Sequence, residues 1–399
     1  MPYYIGDVIQ KKEKLIARTP EKFRETGVDV RIDSRAEEVD EQAGEVRLAD
    51  GTKLPYDTLV LGTGTTELMP GIPGEERPGV FTLKKYTDAL RIKAWLTEVP
   101  CRKAIIVGAG FIGMEMAEAL RQRGIETSVY HRGTLPASRW DPALGKVILE
   151  ELERNGVNFV TGVEMRAIEE GENRRLSAVT NQGGEVADLI LMAVGVRPDT
   201  TLAKQMGLPL GRSGAIGVNF SQRTARENVY AVGDCAESFH RVSRRWVNIP
   251  LGDIANKQGR IAGVNIGGGA MIFPGIVGAQ SFKVFDLEVA ATGLSEREAL
   301  TAGFSPESVL IWGNAIAGSM PGNSKVGLKL IADRATGKLL GAQAVGKAGA
   351  VSRINTLSAA LWAGLSLDDA GWLDLAYAPP FSGSWDPIHV AAQKLRREI

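Results

Sequence analysis

Three glycines at a fixed spacing give the strongest chemical signal in this sequence. Gly108, Gly110 and Gly113 form the pattern G-x-G-x-x-G, which is typical of a turn that holds a dinucleotide pyrophosphate. The first glycine allows a tight turn, the second lets the backbone approach the phosphates, and the third lets a helix pack closely on a strand. The N-terminus of that helix offers N–H groups and partial positive charge to the phosphates.

The elements around these glycines decide whether the motif is meaningful. Residues 103–107 (Lys-Ala-Ile-Ile-Val) predict a buried parallel strand. A helix is predicted from Met114 to Arg123, with Gly124 as its C-cap, and Glu126–Tyr130 predicts the next strand. This strand, turn, helix and strand favour a nucleotide site over a glycine-rich turn without a ligand.

The end of the second strand bears on the choice of nucleotide. An NAD site usually has Asp or Glu there to bind the ribose 2′-hydroxyl. This chain has Tyr130-His131-Arg132 instead. Arg132, and His131 if it is protonated, would attract a 2′-phosphate, so NADP(H) is favoured. The alternative is a solvated basic turn that contacts nothing.

Composition excludes several classes of function. The 47 Lys and Arg balance the 47 Asp and Glu, so no basic field for nucleic acid is expected. No apolar run is long enough for a membrane span, no signal segment is seen, and a cytoplasmic protein is expected. The two cysteines, Cys101 and Cys235, lie far apart, which argues against a disulfide framework. Three histidines leave little for a metal centre, and none is expected.

The rest of the chain alternates apolar strands with amphipathic helices, which favours an α/β fold. A Gly267–Gly269 linker precedes a strand-rich block. Further strands are predicted at Thr58–Leu61, Leu189–Val194, Val229–Val232 and Lys325–Ile331, and helices at Thr19–Glu25, Ala143–Asn155, Asp253–Ile266, Glu296–Ala302 and Val351–Ala363.

Several separated motifs resemble one protein family. The chain is similar to the pyridine nucleotide-disulfide oxidoreductases, in the branch of coenzyme A-disulfide reductases, NADH oxidases and NADH peroxidases. The motifs, besides the three glycines, are Leu59-Val-Leu-Gly62-Thr63-Gly64, Leu189-Ile-Leu-Met-Ala-Val-Gly195-Val-Arg197-Pro198, Thr224-Ala-Arg-Glu-Asn-Val229-Tyr-Ala-Val-Gly233-Asp234 and Pro250-Leu251-Gly252-Asp253.

The resemblance implies an α/β fold with two Rossmann-like nucleotide-binding domains and an α+β C-terminal dimerisation domain. The FAD-binding domain would comprise residues 1–95 and 218–268 and would be incomplete at its N-terminus. Residues 96–217 would form the NAD(P)-binding domain and residues 269–399 the dimerisation domain of a homodimer.

The resemblance also implies how the cofactors FAD and NADP or NAD would be held. Asp234 would bind the ribityl chain of FAD, although a turn aspartate capping the next segment is the alternative. Backbone near the isoalloxazine would come from the start of a helix, where Asp253 could instead act as a plain cap. The implied cofactor residues beside the motif glycines, His131 and Arg132 are Thr63, Gly64, Gly195, Gly233, Asp234, Leu251 and Gly252.

Tyr377 is the candidate catalytic residue in the C-terminal segment. In the coenzyme A-disulfide reductases a matching tyrosine is thought to reach the sulfur chemistry, where it could donate a proton; packing in a dimer interface is the alternative. Three functions stay open: reduction of a disulfide such as coenzyme A disulfide, reduction of oxygen or peroxide, or an inactive nucleotide-binding remnant. Ser319 and Met320, where many relatives have tyrosines, weaken the case for coenzyme A disulfide.

The first residues, Met1-Pro-Tyr-Tyr-Ile-Gly6, resemble the end of the family segment that carries the redox cysteine. On this alignment the cysteine would lie two residues before Met1. Either Met1 is an internal methionine of a longer protein, which the intact downstream motifs favour, or the gene is truncated. Cys101 is expected to be a linker residue and Cys235 a packing residue, so neither replaces that thiol.

Overall fold

A computed structural model describes residues 1–171 and 175–399. The chain divides into two compact units. Unit 1 comprises residues 1–15, 67–195 and 277–399, and unit 2 comprises residues 16–66 and 196–276. This division by contacts differs from the division by ligand expected from the sequence, and the latter stays a prediction.

The helices are short to medium in length. Among the described residues, none combines the length and apolar character needed to cross a bilayer. They are α1 (Pro2–Ile5), α2 (Pro20–Arg24), α3 (Tyr86–Glu98), α4 (Phe111–Gln122), α5 (Pro142–Arg154), α6 (Thr201–Gln205), α7 (Gly252–Ile266), α8 (Glu296–Ala302), α9 (Ala350–Ala363), α10 (Leu367–Ala370) and α11 (Pro387–Arg396).

The strands alternate with these helices over most of the chain. They are β1 (Ala36–Asp40), β2 (Glu45–Leu48), β3 (Lys53–Pro55), β4 (Leu59–Leu61), β5 (Thr65–Glu67), β6 (Val80–Phe81), β7 (Lys103–Val107), β8 (Glu126–His131), β9 (Val157–Thr161), β10 (Met165–Glu170), β11 (Leu176–Thr180), β12 (Gly183–Ala187), β13 (Leu189–Met192), β14 (Val196–Pro198), β15 (Val229–Ala231), β16 (Ser238–His240), β17 (Arg245–Val247), β18 (Gln280–Val284), β19 (Leu287–Gly293), β20 (Pro306–Asn314), β21 (Lys325–Asp333) and β22 (Leu339–Gly346).

A parallel sheet lies in unit 1. Its order is β6-β13-β7-β8-β9, with five strands. β7 and β13 are central, and Ile105, Ile106 and Ile190 have no exposed surface. Strands of a parallel sheet are covered on both faces, so the apolar run Ala-Ile-Ile-Val at residues 104–107 suits this position. The antiparallel strands β10, β11 and β12 connect β9 to β13.

The first helix packs into the same unit. Ile5 is fully buried and Tyr4 nearly so. The Nζ of Lys93 donates to the backbone carbonyl of Tyr4 at 3.0 Å, and the N–H of Asp7 donates to the same oxygen at 3.3 Å. A Cβ on Gly6 would lie 3.0 Å from Ala119 of α4, so the chain approaches that helix closely.

A second sheet of unit 1 is antiparallel, with the order β18-β19-β22-β21-β20. β22 is buried along its whole length, and α9 packs beside it. The buried Lys329 of β21 contacts two carboxylates, Asp141 and Glu296. Such pairing is expected, because an unpaired ammonium is costly to bury.

Unit 2 contains the antiparallel sheet β1-β2-β3 and the parallel pair β15-β4. Leu61, Val229 and Ala231 contribute to its apolar core. In the register of the parallel pair, Leu59, Val60 and Leu61 lie opposite Val229, Tyr230 and Ala231. Both strands therefore end at one edge, where the turns with Thr63 and Asp234 begin.

Candidate nucleotide-binding sites

The glycine turn after β7 has the geometry that its sequence predicts. Gly108 has φ +111°, and a Cβ there would lie 2.3 Å from the carbonyl oxygen of Ala193. A Cβ on Gly113 would lie 2.1 Å from the carbonyl oxygen of Gly108. These two glycines are needed by the fold itself. Gly110 differs, since a Cβ there would meet no heavy atom within 4 Å, and the space beside it is open to a ligand.

The same turn leaves the start of α4 available. Gly110 is the N-cap and has no side chain to bind the first N–H groups. Those groups need a partner, and a phosphate is a suitable one. Gly195, at the end of the neighbouring β13 segment, has φ +120° and accepts a hydrogen bond from the N–H of Leu68 at 3.0 Å. Because β7 and β13 are adjacent and parallel, Gly195 lies at the same sheet edge as Gly108.

His131 is the last residue of β8 and is partly buried, whereas Arg132, the next residue, is exposed. Burial lowers the pKa of His131, a hydrogen bond with the backbone of Leu135 partly offsets this, and the charge of Arg132 lowers it further. A lowered pKa keeps the imidazole neutral near pH 7. The structure therefore does not favour a charged His131 as a phosphate ligand, and Arg132 is the cation at this position.

One candidate escaped the sequence analysis. Glu115 lies two residues after Gly113, and its Oε1 accepts a hydrogen bond from Tyr3 Oη at 3.4 Å. Burial raises the pKa of Glu115, and burial together with the charge of Glu115 raises the pKa of Tyr3 to about 12. Perturbed groups beside a cofactor turn are candidates for function. The sequence does contain one indication of this site, because Glu115 is an acidic residue between Met114 and Met116, which are both buried in α4.

Unit 2 brings its own predicted residues together at the edge of β4 and β15. Gly64 has φ +70° with open space around its Cβ position, and Gly233 has φ +76°. The N–H of Gly233 donates to Gln258 Oε1 at 2.7 Å. Thr63 Oγ1 donates to the carbonyl of Asp199 at 2.6 Å, and this bond fixes the turn rather than leaving the hydroxyl for a ligand.

The start of α7 is the third predicted contact with FAD. Leu251 is the N-cap and supplies no side-chain hydrogen bond, and a Cβ on Gly252 would meet nothing within 4 Å. Asp253, which could have capped this helix, has its Oδ2 2.9 Å from Lys257 Nζ. The N–H groups at this end thus have no side-chain cap, as a helix terminus that faces a cofactor requires.

A cavity of about 930 Å³ in unit 2 adjoins the Asp234 turn. Asn248, which lines it, donates from Nδ2 to the carbonyl of Asp234 at 2.9 Å. The only carboxylate in its lining, Glu237, is buried and accepts from Ser213 Oγ at 2.8 Å. The lining also includes three exposed arginines, Arg197, Arg212 and Arg245. An excess of guanidinium groups suits an anionic dinucleotide, so the residues present fit FAD.

Tyr377 lies on a segment between α10 and α11 and is 56% exposed. Beyond it, the carbonyl of Pro379 accepts from the N–H of Ala317 at 3.0 Å. Farther on, Arg353 of α9 and Asp386 form a buried ion pair, with Nη2 2.8 Å from Oδ2. The segment is therefore held in place while the tyrosine ring remains accessible.

Neither cysteine suits redox chemistry. Burial, and after it the charge of Asp188, raises the pKa of Cys101 to about 12. Cys235 is fully buried, and its Sγ lies 3.3 Å from the carbonyl oxygen of Val232. A reactive cysteine needs thiolate character and access, and these environments oppose it.

Comparison with known proteins shows the family. Residues 3–259 match the model of the pyridine nucleotide-disulphide oxidoreductases, and residues 279–387 match the dimerisation domain of the same family. The chain belongs to this family of flavoprotein oxidoreductases, which use FAD and NAD(P)H. It is thus an enzyme of the class that the sequence motifs indicated, and the expected fold class is confirmed.

Individual relatives cover nearly the whole chain. An NAD(P)H coenzyme A polysulfide/persulfide reductase from Pyrococcus horikoshii is 36% identical over 98% of this chain and 88% of its own length. A coenzyme A disulfide reductase from Staphylococcus epidermidis is 30% identical over 99% of this chain and 90% of its own. The structure of an NAD-dependent persulfide reductase from A. fulgidus is 35% identical with a TM-score of 0.95, over 100% of this chain and 75% of that one.

Proposed function

We propose that this protein takes hydride from NADP(H) at the Gly108 turn and uses FAD to reduce a disulfide-class substrate such as coenzyme A disulfide. The observation that carries the proposal is the turn itself, where Gly108 and Gly113 are fixed by packing and Gly110 opens onto free space. A side chain at Gly110 would not clash with any neighbouring atom of the protein. The glycine at this position is therefore best explained by a ligand that occupies the space.

On the nicotinamide side the chain binds and orients. The uncapped N–H groups at the start of α4 would hold the pyrophosphate. Arg132 would hold the 2′-phosphate of NADP(H), and Gly195 would leave room at the adjacent strand end. Glu115, with its raised pKa and its hydrogen bond from Tyr3, could hold a proton close to this turn.

On the flavin side the binding residues would be those of unit 2. Asp234 would accept hydrogen bonds from the ribityl hydroxyls, while the turns of Thr63-Gly64 and Gly233 give the dinucleotide a close approach to backbone. Leu251 and Gly252 would present the N–H groups of α7 to the ring system. When bound at these residues, FAD would supply the two-electron chemistry that couples oxidation of the nicotinamide to reduction of the acceptor.

Two observations support a sulfur acceptor. The two curated relatives bear names of coenzyme A disulfide or persulfide reductases. In this chain Tyr377 is exposed on a segment with other accessible rings, Trp372, Phe381 and Trp385. We propose that this segment meets a second copy of the chain, as the dimerisation match suggests, and that Tyr377 donates a hydrogen bond to the departing thiolate there.

Anaerobic turnover tests the choice of acceptor. The flavin-loaded protein would be mixed with NADPH and, in separate reactions, coenzyme A disulfide, a coenzyme A persulfide, hydrogen peroxide or oxygen, and the loss of NADPH absorbance followed. Turnover with a sulfur substrate in the absence of oxygen supports the proposal. Turnover with oxygen or peroxide alone contradicts it and assigns the oxidase or peroxidase activity instead.

A further inference from the structure

The loop after β8 is built around the ring of His131. Its Nε2 is buried and has no hydrogen-bond partner among the residues the structure describes. The ring centroid lies 6.0 Å from that of Phe159 on the neighbouring β9. The backbone of Leu135 interacts with the ring and partly offsets the lowering of its pKa by burial. The ring thus links the end of the strand to the middle of the loop.

Gly133 is the place where this ring meets the loop backbone. A Cβ on Gly133 would lie 2.8 Å from Nε2 of His131 and 3.3 Å from its Cδ2, and its three nearest neighbours all belong to that ring. Gly133 does not have a positive φ. The glycine is therefore required for the space it leaves to the imidazole, and not for a special backbone conformation.

The far end of the loop is tied to the glycine turn. The N–H of Ala137 donates to the carbonyl of Ala109 at 3.0 Å. Ala137 itself has φ +52°, an uncommon conformation for a residue with a side chain. The loop from 132 to 137 is thus fixed at one end by strand β8 and the His131 ring, and at the other by the backbone between Gly108 and Gly110.

We infer that His131 is a positioning residue for cofactor choice, which it sets by fixing the loop that carries Arg132 and aims its guanidinium at the 2′-phosphate. The inference rests on the proposed NADP(H) preference. The ring acts as a neutral, packed spacer and does not touch the phosphate. The charged neighbour acting on it is Arg132, and β9 offers the apolar ring of Phe159.

Protonation of His131 at acidic pH should weaken its hold on the loop from 132 to 137. Protonation of Nε2 would place a buried N–H donor where there is no acceptor, which costs free energy. The folded-state pKa of His131 is lowered, so the stabilisation is fully present above the ordinary histidine pKa and is lost as pH falls through the folded-state value. Affinity for NADPH should therefore fall in acid more steeply than affinity for NADH.

Gly133→Ala in the flavin-loaded protein is the direct test. The new methyl group displaces the ring, and misplacing a binding group by about 1 Å can cost up to two orders of magnitude. We expect the KM for NADPH to rise about tenfold, with kcat and the KM for NADH changed less than about twofold. Gly184→Ala is the control, since that exposed glycine of β12 has its nearest Cβ neighbour at 3.5 Å and should change neither constant.

Two double variants separate positioning from general damage. His131→Ser removes the ring, so it should raise the KM for NADPH and reduce its acid dependence to the part that comes from protonation of the 2′-phosphate itself. Gly133→Ala should add nothing to this variant. In an Arg132→Ala background Gly133→Ala should also have no further effect on NADPH. Additive losses, or equal losses for NADH and NADPH, would overturn the positioning role.

The same series distinguishes this inference from the proposal beneath it. If Arg132→Glu raises both KM values equally, the NADP(H) preference is wrong and the inference fails with it. If Arg132→Glu affects NADPH alone while Gly133→Ala affects neither cofactor, only the role of His131 is refuted.

Discussion

The two Rossmann-like parts of this chain contain similar apolar strands, β13 in unit 1 and β4 in unit 2, in different surroundings. β13 and β4 each follow a three-stranded antiparallel sheet and each end in a glycine turn. β13 pairs with β6 and β7, and all of its residues are buried. Within the part of the chain that the structure describes, β4 pairs with β15 alone, and Val60 at its centre is 42% exposed.

The difference shows that an apolar sequence alone does not bury a parallel strand, which also needs elements packed on both faces and paired strands at both edges. Leu-Val-Leu and Leu-Ile-Leu-Met are equally apolar sequences, yet only the second is fully covered. An edge with unpaired N–H and C=O groups gives less stability and accepts other partners. We therefore expect the fold of unit 1 to stand without a ligand and that of unit 2 to depend more on FAD.

The same substitution in the two glycine turns should have the largest and most unequal effect. Gly108→Ala forces a Cβ within 2.3 Å of a carbonyl oxygen at positive φ, and a loss of about 3 kcal/mol or more in unfolding free energy is expected. Gly64→Ala also has positive φ but meets no atom, so about 1 kcal/mol is expected. Urea unfolding measures both, and equal losses would refute the comparison.

The strands themselves give the second contrast. Ile190→Ala empties a fully buried site in β13 and should cost about 3 kcal/mol. Val60→Ala removes a partly exposed side chain of β4 and should cost less than about 1 kcal/mol. Denaturation of the flavin-free protein provides the measurement. A loss at Val60 as large as that at Ile190 would contradict the contrast between the two strands.

Much of the parallel sheet was predictable, because its strands are continuous apolar runs. Lys103–Val107 is a strand at the predicted bounds, and α2 follows the predicted cap, with Thr19 Oγ1 accepting from the N–H of Lys22. α4 begins at Phe111, three residues before the prediction, because Gly110 caps with its backbone. The strand β6, with two residues, is too short for any periodic signal and exists through its pairing with β13.

The site was predictable where a residue type alone determines the role. The three motif glycines behave as their spacing indicates. The environment of His131 was not predictable, since its lowered pKa comes from packing against Phe159 and the space over Gly133. Glu115 was missed for a similar reason, because its burial depends on the neighbouring segment with Tyr3.

The third contrast is between substitutions in the proposed NADP(H) site and in the proposed FAD site. Arg132→Glu should raise the KM for NADPH about tenfold or more, because a carboxylate repels the 2′-phosphate. The KM for NADH and the flavin content should remain unchanged. Asp234→Ala should lower the flavin content of the purified protein, measured from absorbance, and leave NADPH binding intact. If either substitution affected both ligands alike, the two folds would not be separate binding sites.

The smallest effect concerns the partly buried charge of Glu115. Its raised pKa means that the ionised form destabilises the folded state above that pKa, and that the cost disappears as pH falls through it. Glu115→Gln should therefore raise unfolding free energy at pH 8 by under about 1 kcal/mol, because solvent screens part of the charge. Thermal melts at pH 8 and pH 4 test this, and a gain that grew in acid would contradict it.

The buried ion pair of Arg353 and Asp386 gives the C-terminal segment an unusual kind of stability. With both charges shielded from solvent, added salt cannot weaken the pair as it weakens surface pairs. Protease cleavage between residues 372 and 386 should then require local opening around α9 and be insensitive to ionic strength. Digestion rates would measure how often the segment that carries Tyr377 opens.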